Sequence, residues 1–146
     1  MSEGGGLRAQ LNGIRDGTCV ITKLEGGILI GSSIRIAADP FSRLRGLLFR
    51  RCLEAGEGML FMPSGAIHTI GMRFSMDVIS ICGRGKVNGI RSRLRPCRFA
   101  IFPLRSAAVL ELPEGTVNRC RIAVGDQLII GRSSTGKEGQ CSPASA

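Results

Sequence analysis

His68 is the only histidine in the chain, and an imidazole is the side chain best suited to proton transfer near neutral pH. Thr69 beside it carries a hydroxyl, and the carboxylate of Asp77 could orient the imidazole ring. Such a pair, supplied with a nucleophile, would predict an enzyme of the hydrolase or transferase type. The sequence places no thiol against His68, although one could come from Cys52, Cys82 or Cys97. We therefore assign no catalytic residue and keep His68 and Asp77 only as candidates.

His68, Met72 and Met76 are spaced four residues apart, and imidazole and thioether groups are ligands that suit Cu(I). Side chains at this spacing come together only on a helix. The surrounding sequence favours strands, and on a strand His68 and Met76 would lie about 26 Å apart. We interpret the two methionines as core residues and predict neither a metal site nor a cofactor.

The six cysteines show no C-x-x-C spacing of the kind that zinc sites and thioredoxin-like motifs use. We expect reduced thiols that pack mostly as small hydrophobic residues, with Cys141 exposed in a polar tail. No P-loop, dinucleotide-binding fingerprint or H-E-x-x-H motif is present. There is also no apolar run of about 18 residues and no secretory signal, so we expect a soluble, cytoplasmic chain.

A net charge of +9 suggests an acidic partner, such as nucleic acid or an anionic membrane surface. Arg91, Arg93 and Arg95 alternate, so an extended segment would place them on one face, with Arg98 close behind. This stripe could bind nucleic-acid phosphates, an acidic protein or a phosphate-bearing ligand. It could also be a solvated edge strand whose charge discourages edge-to-edge pairing. The chain has no Tyr or Trp for base stacking, so nucleic acid is the less favoured partner.

The elements that must position these residues are mainly strands. Short β-branched runs predict a mostly β (α+β) fold, a small barrel-like single domain with one or two short helices. Turn signals stand at Glu25–Gly27 and at Gly83–Lys86. The predicted strands are Cys19–Leu24, Ile28–Ile36, Met76–Cys82, Val87–Ile90, Ala107–Leu112 and Gln127–Ile130.

Two helices interrupt the strands. The first begins at Asp39 and Pro40, which suit the N-cap and N1 positions, and can end at Gly56. Its apolar stripe consists of Phe41, Leu44 and Leu48. The second is short, roughly Pro113–Cys120, and Glu111 and Glu114 flank its start, where negative charge favours the helix dipole.

The chain divides by composition into three parts. Residues 1–17 are Gly-rich and polar and are typical of a flexible arm, and residues 132–146 are typical of a disordered tail. The folded domain is expected between residues 18 and 131. Near its end, Gly125 and Asp126 are typical of a tight turn rather than of a site.

Several blocks of sequence between residues 43 and 128 carry a family resemblance. They are Arg43–Arg50, Gly56–Phe61, Ile67–Met72, Met76–Ile79, Gly85–Val87, Pro96–Cys97, Val109–Thr116 and Val124–Leu128. Taken together and in this order, they resemble the family known as domain of unknown function 192, an uncharacterised ancient conserved region. The resemblance covers about residues 18–131.

The resemblance implies a small, mostly β, barrel-like domain with one or two short helices, and no established reaction. The chain also departs from the commoner family pattern. Many members have an aromatic-Trp-Met-Lys-Asn-Thr block where this chain has Ile67–Met72, and Cys82 stands where an Asp is often found. A function tied to that Trp or that acid is therefore not expected here.

The sequence favours a small, non-enzymatic binding or accessory module. Pro63, Gly65 and Gly71 predict an irregular exposed loop over residues 64–77, which would carry the ligand or partner surface. The expected partner is a protein or a small anionic ligand. The alternatives are an enzyme built on His68 and Asp77 and sequence-tolerant nucleic-acid binding through Arg91–Arg98. The candidate surface residues are His68, Thr69, Met72, Arg91, Arg93 and Arg95.

Overall fold

Nine strands and two short helices make up the part of the chain that the structure describes. The structure is a computed structural model and describes residues 5–14, 17–37 and 50–133. The elements are α1 (Leu7–Leu11), β1 (Thr18–Lys23), β2 (Ile28–Ala37), β3 (Glu57–Phe61), β4 (Ala66–His68), β5 (Met76–Cys82), β6 (Val87–Leu94), β7 (Phe99–Ile101), β8 (Ser106–Pro113), α2 (Thr116–Arg119) and β9 (Leu128–Arg132). The mostly β fold predicted from the sequence is confirmed.

Seven strands form one sheet in the order β6-β5-β8-β3-β2-β1-β9. Only β2 and β3 pair in parallel, and every other neighbouring pair is antiparallel. The sheet curls until its two ends meet, where an isolated bridge joins Lys86 to Gln127. The Val87 N–H donates to the Asp126 carbonyl oxygen at 2.9 Å, and the Leu128 N–H donates to the Gly85 carbonyl oxygen at 2.9 Å. The seven strands form a curled half-barrel, and these contacts link its two edge strands at one end.

A buried ion pair stands beside this junction. Lys23 Nζ lies 3.0 Å from Asp126 Oδ2 and also donates to the Arg121 carbonyl oxygen at 2.8 Å. Partial burial opposes ionisation of Asp126, but the Ala123 N–H and Lys23 outweigh it, so the pKa of Asp126 is lowered. Asp126 thus has the architectural role that its turn sequence predicted.

Alternation along the strands divides the apolar residues between two core clusters. On β8, Ala108, Leu110 and Leu112 enter one cluster, and Val109 enters the other. β5 is buried on both faces, with Ile79 and Ile81 in the first cluster and Met76 and Val78 in the second. The second cluster matters for the site because a smaller sheet covers it.

That smaller sheet is a two-stranded antiparallel ribbon of β4 and β7. Ile67 and Ala100 pair across it and pack into the second cluster. Phe102 follows β7 and is buried against β6 at Gly89, where a Cβ atom would lie only 2.9 Å from the Phe102 ring. The missing side chain at Gly89 therefore lets the end of the ribbon approach the main sheet.

The predicted strands are confirmed, with small shifts at their ends. Met76–Cys82 has the predicted bounds, and β6 continues four residues beyond Ile90, to Leu94. Three strands were not predicted: β3, β4 and β7. The prediction of an irregular loop over residues 64–77 is wrong where β4 forms.

The helices differ more from the prediction. Asp39, Pro40 and the predicted stripe of Phe41, Leu44 and Leu48 lie outside the described residues. Residues 50–56 are not helical, so the extension of the first helix to Gly56 is wrong. There the Gly56 carbonyl oxygen accepts the Ser32 and Ser33 N–H groups beside β2. The second helix is only Thr116–Arg119, because Pro113 ends β8 and Gly115 adopts a left-handed turn.

The N-terminal segment contributes to the core although its composition predicted a flexible arm. Leu7 on α1 is only 1% exposed and packs in the first cluster. Its N–H donates to the Gly83 carbonyl oxygen, and Gln10 Oε1 accepts the Ile130 N–H at 2.7 Å. Residues 134–146, most of the predicted tail, lie outside the described part. None of the described helices is long and apolar enough to cross a membrane.

Candidate functional site

The ribbon of β4 and β7 turns one face toward solvent. Ala66 pairs with Ile101 and His68 pairs with Phe99, while the alternate pair, Ile67 and Ala100, points into the core. Phe99 is 72% exposed and Ile101 is 76% exposed. The ribbon thus presents two large apolar side chains to solvent beside the only histidine, on a face where polar side chains are usual.

Two further exposed apolar residues follow the ribbon strands closely in sequence. Leu104, in the turn that leads to β8, has a fully exposed side chain, and Ile70 is about half exposed after β4. The His68 and Phe99 rings are tilted against each other with their centroids 6.2 Å apart. We call this surface the ribbon face and define it as His68, Ile70, Phe99, Ile101 and Leu104.

The stretch of sequence that carries the ribbon face is rich in positive charge. Residues 58–110 contain eight basic residues and a single acidic residue, Asp77, which is buried. Four of the basic residues are exposed and adjoin the ribbon segments in sequence, namely Arg73, Arg95, Arg98 and Arg105. Exposed apolar side chains flanked in sequence by basic residues would suit a partner that combines apolar groups with negative charge.

Thr69 connects the ribbon to the arginine-rich loop rather than serving as a surface hydroxyl. It is fully buried, and its Oγ1 donates to the Arg95 carbonyl oxygen at 2.6 Å and accepts the Arg98 N–H at 2.9 Å. The Thr69 carbonyl oxygen also accepts the Cys97 N–H at 2.9 Å. Thr69 therefore positions residues 95–98 beside His68, which is a positioning role for a residue predicted to contact a partner.

Asp77 does not face His68. It is 1% exposed, its Oδ1 accepts the Arg93 N–H at 3.0 Å, and its Oδ2 accepts the Val117 N–H at 2.9 Å. The carboxylate thereby joins β5 to β6 and to the start of α2, whereas His68 lies exposed on the ribbon. No hydrogen bond joins the two side chains, so the structure gives no support to a His68–Asp77 pair.

The arginine stripe is interrupted by a bulge in β6. Arg91 pairs with Val78 and Leu94 pairs with Met76, so the register shifts between them, and Arg93 has a positive φ of 53°. The Arg91 guanidinium lies 5.7 Å from the Phe102 ring centroid, while Arg93 Nε lies 3.4 Å from Glu114 Oε1. The three arginines are all exposed, but they do not continue the plain alternation that predicted one row.

The methionines of the His-Met-Met spacing are core residues. Met72 and Met76 are buried in the second cluster, whereas His68 is exposed. Within the described residues, no group of three His, Cys, Asp or Glu side chains could hold a metal ion. The described cysteines are all unpaired, and burial raises the pKa of the Cys19 thiol to about 12.

Glu111 was not singled out as a site residue in the sequence, yet it is a buried carboxyl group on β8. It is 5% exposed and lies between Met59 of β3 and Val78 of β5 on the face that bears the second cluster. No described residue forms a hydrogen bond or ion pair with its carboxyl group. Burial raises the pKa of Glu111 to about 8.

Phe99, Ile101 and Leu104 are the surface residues that the sequence analysis missed. The sequence does contain one indication of them, the short alternation Phe99-Ala100-Ile101 between Arg98 and Pro103. Such an alternation predicts that Phe99 and Ile101 share a face of a strand, but it does not predict whether that face is buried or exposed. Phe102, the next residue along the chain, is buried.

Two solved structures resemble this fold. One, a protein of unknown function from Novosphingobium aromaticivorans, is 22% identical with a TM-score of 0.67, and the match covers 81% of this chain and 87% of that one. The other, described as a candidate transcription regulator from Sinorhizobium meliloti, is 28% identical with a TM-score of 0.63, and the match covers 75% of this chain and 89% of that one.

A search of curated proteins finds no match to the chain. A family model does match, over residues 21–130, which span the sheet from β1 to β9 and include the ribbon. The resemblance carried by the sequence blocks is thereby confirmed. The chain belongs to the domain of unknown function 192 family, described as an uncharacterized ancient conserved region.

Proposed function

We propose that this protein is a non-enzymatic binding module that contacts its partner through the ribbon face. The observation that carries the proposal is the exposure of Phe99, Ile101 and Leu104 in a region with one buried acidic residue and eight basic ones. Several large apolar side chains exposed within one short segment are a feature of interaction sites. The partner is one that carries negative charge.

The rigid underside of the ribbon supports this assignment. Ile67 and Ala100 anchor it in the second core cluster, and Thr69 fastens the neighbouring loop through its buried hydroxyl. The backbone that carries Phe99 and Ile101 is therefore anchored to the core, which limits the ordering cost of binding to the side chains.

An enzyme is the weaker alternative. Asp77 uses both carboxylate oxygens on backbone N–H groups, so the proton-transfer pair that the sequence analysis considered has no geometric support. Glu111 is a carboxyl group with a raised pKa, but no nucleophile or second acid touches it among the described residues.

Nucleic-acid binding through Arg91–Arg98 is the second candidate. It is favoured by the exposed arginines and by the description of the Sinorhizobium meliloti relative as a candidate transcription regulator. The interruption of the stripe at Arg93 and the pairing of that residue with Glu114 count against it.

Photo-crosslinking in the cells of origin tests the proposal. A photoreactive amino acid replaces Ile101 on the ribbon face or, as the matched control, Leu29, which is 54% exposed on β2. Because the partner covers only the ribbon face, we expect adducts from position 101 and none from position 29. Equal yields at the two positions, or no adduct at either, would contradict the proposal.

A further inference from the structure

We infer that the partner of the ribbon face is an anionic lipid surface, into which Phe99, Ile101 and Leu104 insert while the neighbouring arginines contact the headgroups. This inference rests on the binding function proposed above and names the class of partner. The first observation is the exposure of the apolar side chains: Leu104 is fully exposed and Ile101 is 76% exposed. Apolar side chains that project from a folded surface can enter the boundary between headgroups and acyl chains.

The charge distribution fits the same partner. Arg73, Arg95, Arg98 and Arg105 are exposed and lie within five residues of the ribbon strands in sequence, and residues 58–110 contribute no exposed acidic group. Each basic residue held near an anionic membrane surface strengthens binding roughly fivefold. A region whose only acidic side chain, Asp77, is buried avoids the repulsion that an exposed carboxylate would meet at such a surface.

The size and chemistry of the face disfavour macromolecular partners. A stable protein interface buries about 800 Å² on each partner, whereas the ribbon face consists of five side chains on two three-residue strands and their flanks. Insertion into lipid needs no shape complementarity. Nucleic acid would leave Ile101 and Leu104 unused, because aliphatic side chains offer no ring on which bases stack.

The absence of tryptophan from the chain supplies a direct reporter of insertion. Leu104→Trp gives the protein a single tryptophan at the ribbon face, and Leu29→Trp places one on β2 as the matched control. The full chain is mixed with vesicles of phosphatidylcholine alone or with phosphatidylglycerol added, at about 150 mM salt. We expect a blue shift of the Leu104→Trp emission only with phosphatidylglycerol, and no shift for Leu29→Trp.

Two sets of variants separate insertion from general attraction between charges. Ile101→Ser with Leu104→Ser should weaken vesicle binding at least about tenfold, while the same change at Leu24 and Leu29, which are also exposed, should not. The double variant Arg98→Gln, Arg105→Gln should bind the anionic vesicles about 25-fold more weakly. The control double variant Arg8→Gln, Arg84→Gln removes the same charge from two other exposed positions and should weaken binding much less.

The inference is overturned if the chain does not bind the anionic vesicles, or if it binds them without a shift of the Leu104→Trp emission. It is also overturned if the ribbon and control variants lose binding equally. Protein or nucleic-acid adducts from position 101, in the absence of vesicle binding, would refute the lipid partner and leave the binding function standing. Failure of both experiments would reject the binding function itself.

Discussion

Replacing Glu111 with glutamine should remove a pH dependence from the stability of this fold. Glu111 is 5% exposed and has no charged or hydrogen-bonding partner among the described residues, and burial raises its pKa from 4.5 to about 8. The folded state therefore holds a proton that the unfolded state releases above pH 4.5. Because the folded-state pKa is the higher one, the stabilisation is complete below pH 4.5 and is lost as the pH rises toward 8.

The magnitude follows from the interval over which the two states differ. Each pH unit in that interval costs about 1.4 kcal/mol, so the free energy of unfolding should fall by about 3 kcal/mol between pH 4.5 and pH 7 on account of Glu111. The amide of Glu111→Gln has a similar shape and does not titrate, so the variant should lack this loss and should gain stability relative to the natural chain as the pH rises.

Urea unfolding at several pH values between 5 and 8 measures the effect as a difference between the natural chain and the variant. Other carboxyl groups cancel in that difference. Glu114→Gln is the matched control, because it makes the same chemical change three residues away at a carboxyl group that is half exposed. Parallel profiles for the natural chain and Glu111→Gln would refute the assignment of a buried, unpartnered carboxyl group.

Three further predictions concern the core, the ribbon and the arginines. Leu7→Ala should lower the free energy of unfolding by roughly 2–5 kcal/mol in urea melts, because Leu7 is only 1% exposed. Deletion of residues 1–17 should also destabilise the fold. An unchanged urea midpoint in either variant would place the N-terminal segment outside the core. Thr69→Val should cost about 1–3 kcal/mol, because the Arg95 carbonyl oxygen and the Arg98 N–H each lose a hydrogen bond to the buried Thr69 hydroxyl. Ser64→Ala, which removes an exposed hydrogen bond, should be near neutral. Replacing Arg91, Arg93 and Arg95 with serine should leave DNA and RNA binding almost unchanged at about 150 mM salt, because we expect the natural chain to bind nucleic acid only weakly there. Fluorescence anisotropy with short DNA and RNA measures this binding. Submicromolar binding by the natural chain that is lost in the variant, with a slope of about −2.7 in a log–log plot of affinity against salt, would establish the nucleic-acid alternative.

The long strands of this fold could be predicted because their residues carry the pattern locally. Met76–Cys82 has apolar residues on both faces and proved to be a strand with those bounds, buried between two clusters. The shorter strands could not be predicted in this way. β4 and β7 have three residues each and depend on pairing with each other across 30 intervening residues. Local propensity contains no information about such a partner.

The candidate site was predicted only in part, for a related reason. The sequence indicated the segment around His68 and an excess of arginine, and both are exposed. It did not indicate that the carboxylate of Asp77 accepts the N–H groups of Arg93 and Val117, which are distant in sequence. It also did not indicate which of Phe99 and Phe102 is buried, since that depends on the space left by Gly89.

Footprinting with hydroxyl radicals, on the purified protein and in the cells of origin, tests most directly whether the ribbon face is a binding surface. In the purified protein Phe99, Ile101 and Leu104 should react readily, as should the exposed control residues Leu24, Leu29 and Val124. In cells, we predict that the ribbon residues are protected while the controls react as before, because only the ribbon face is covered by a partner. Equal reactivity of the ribbon residues in both settings would contradict the proposed function.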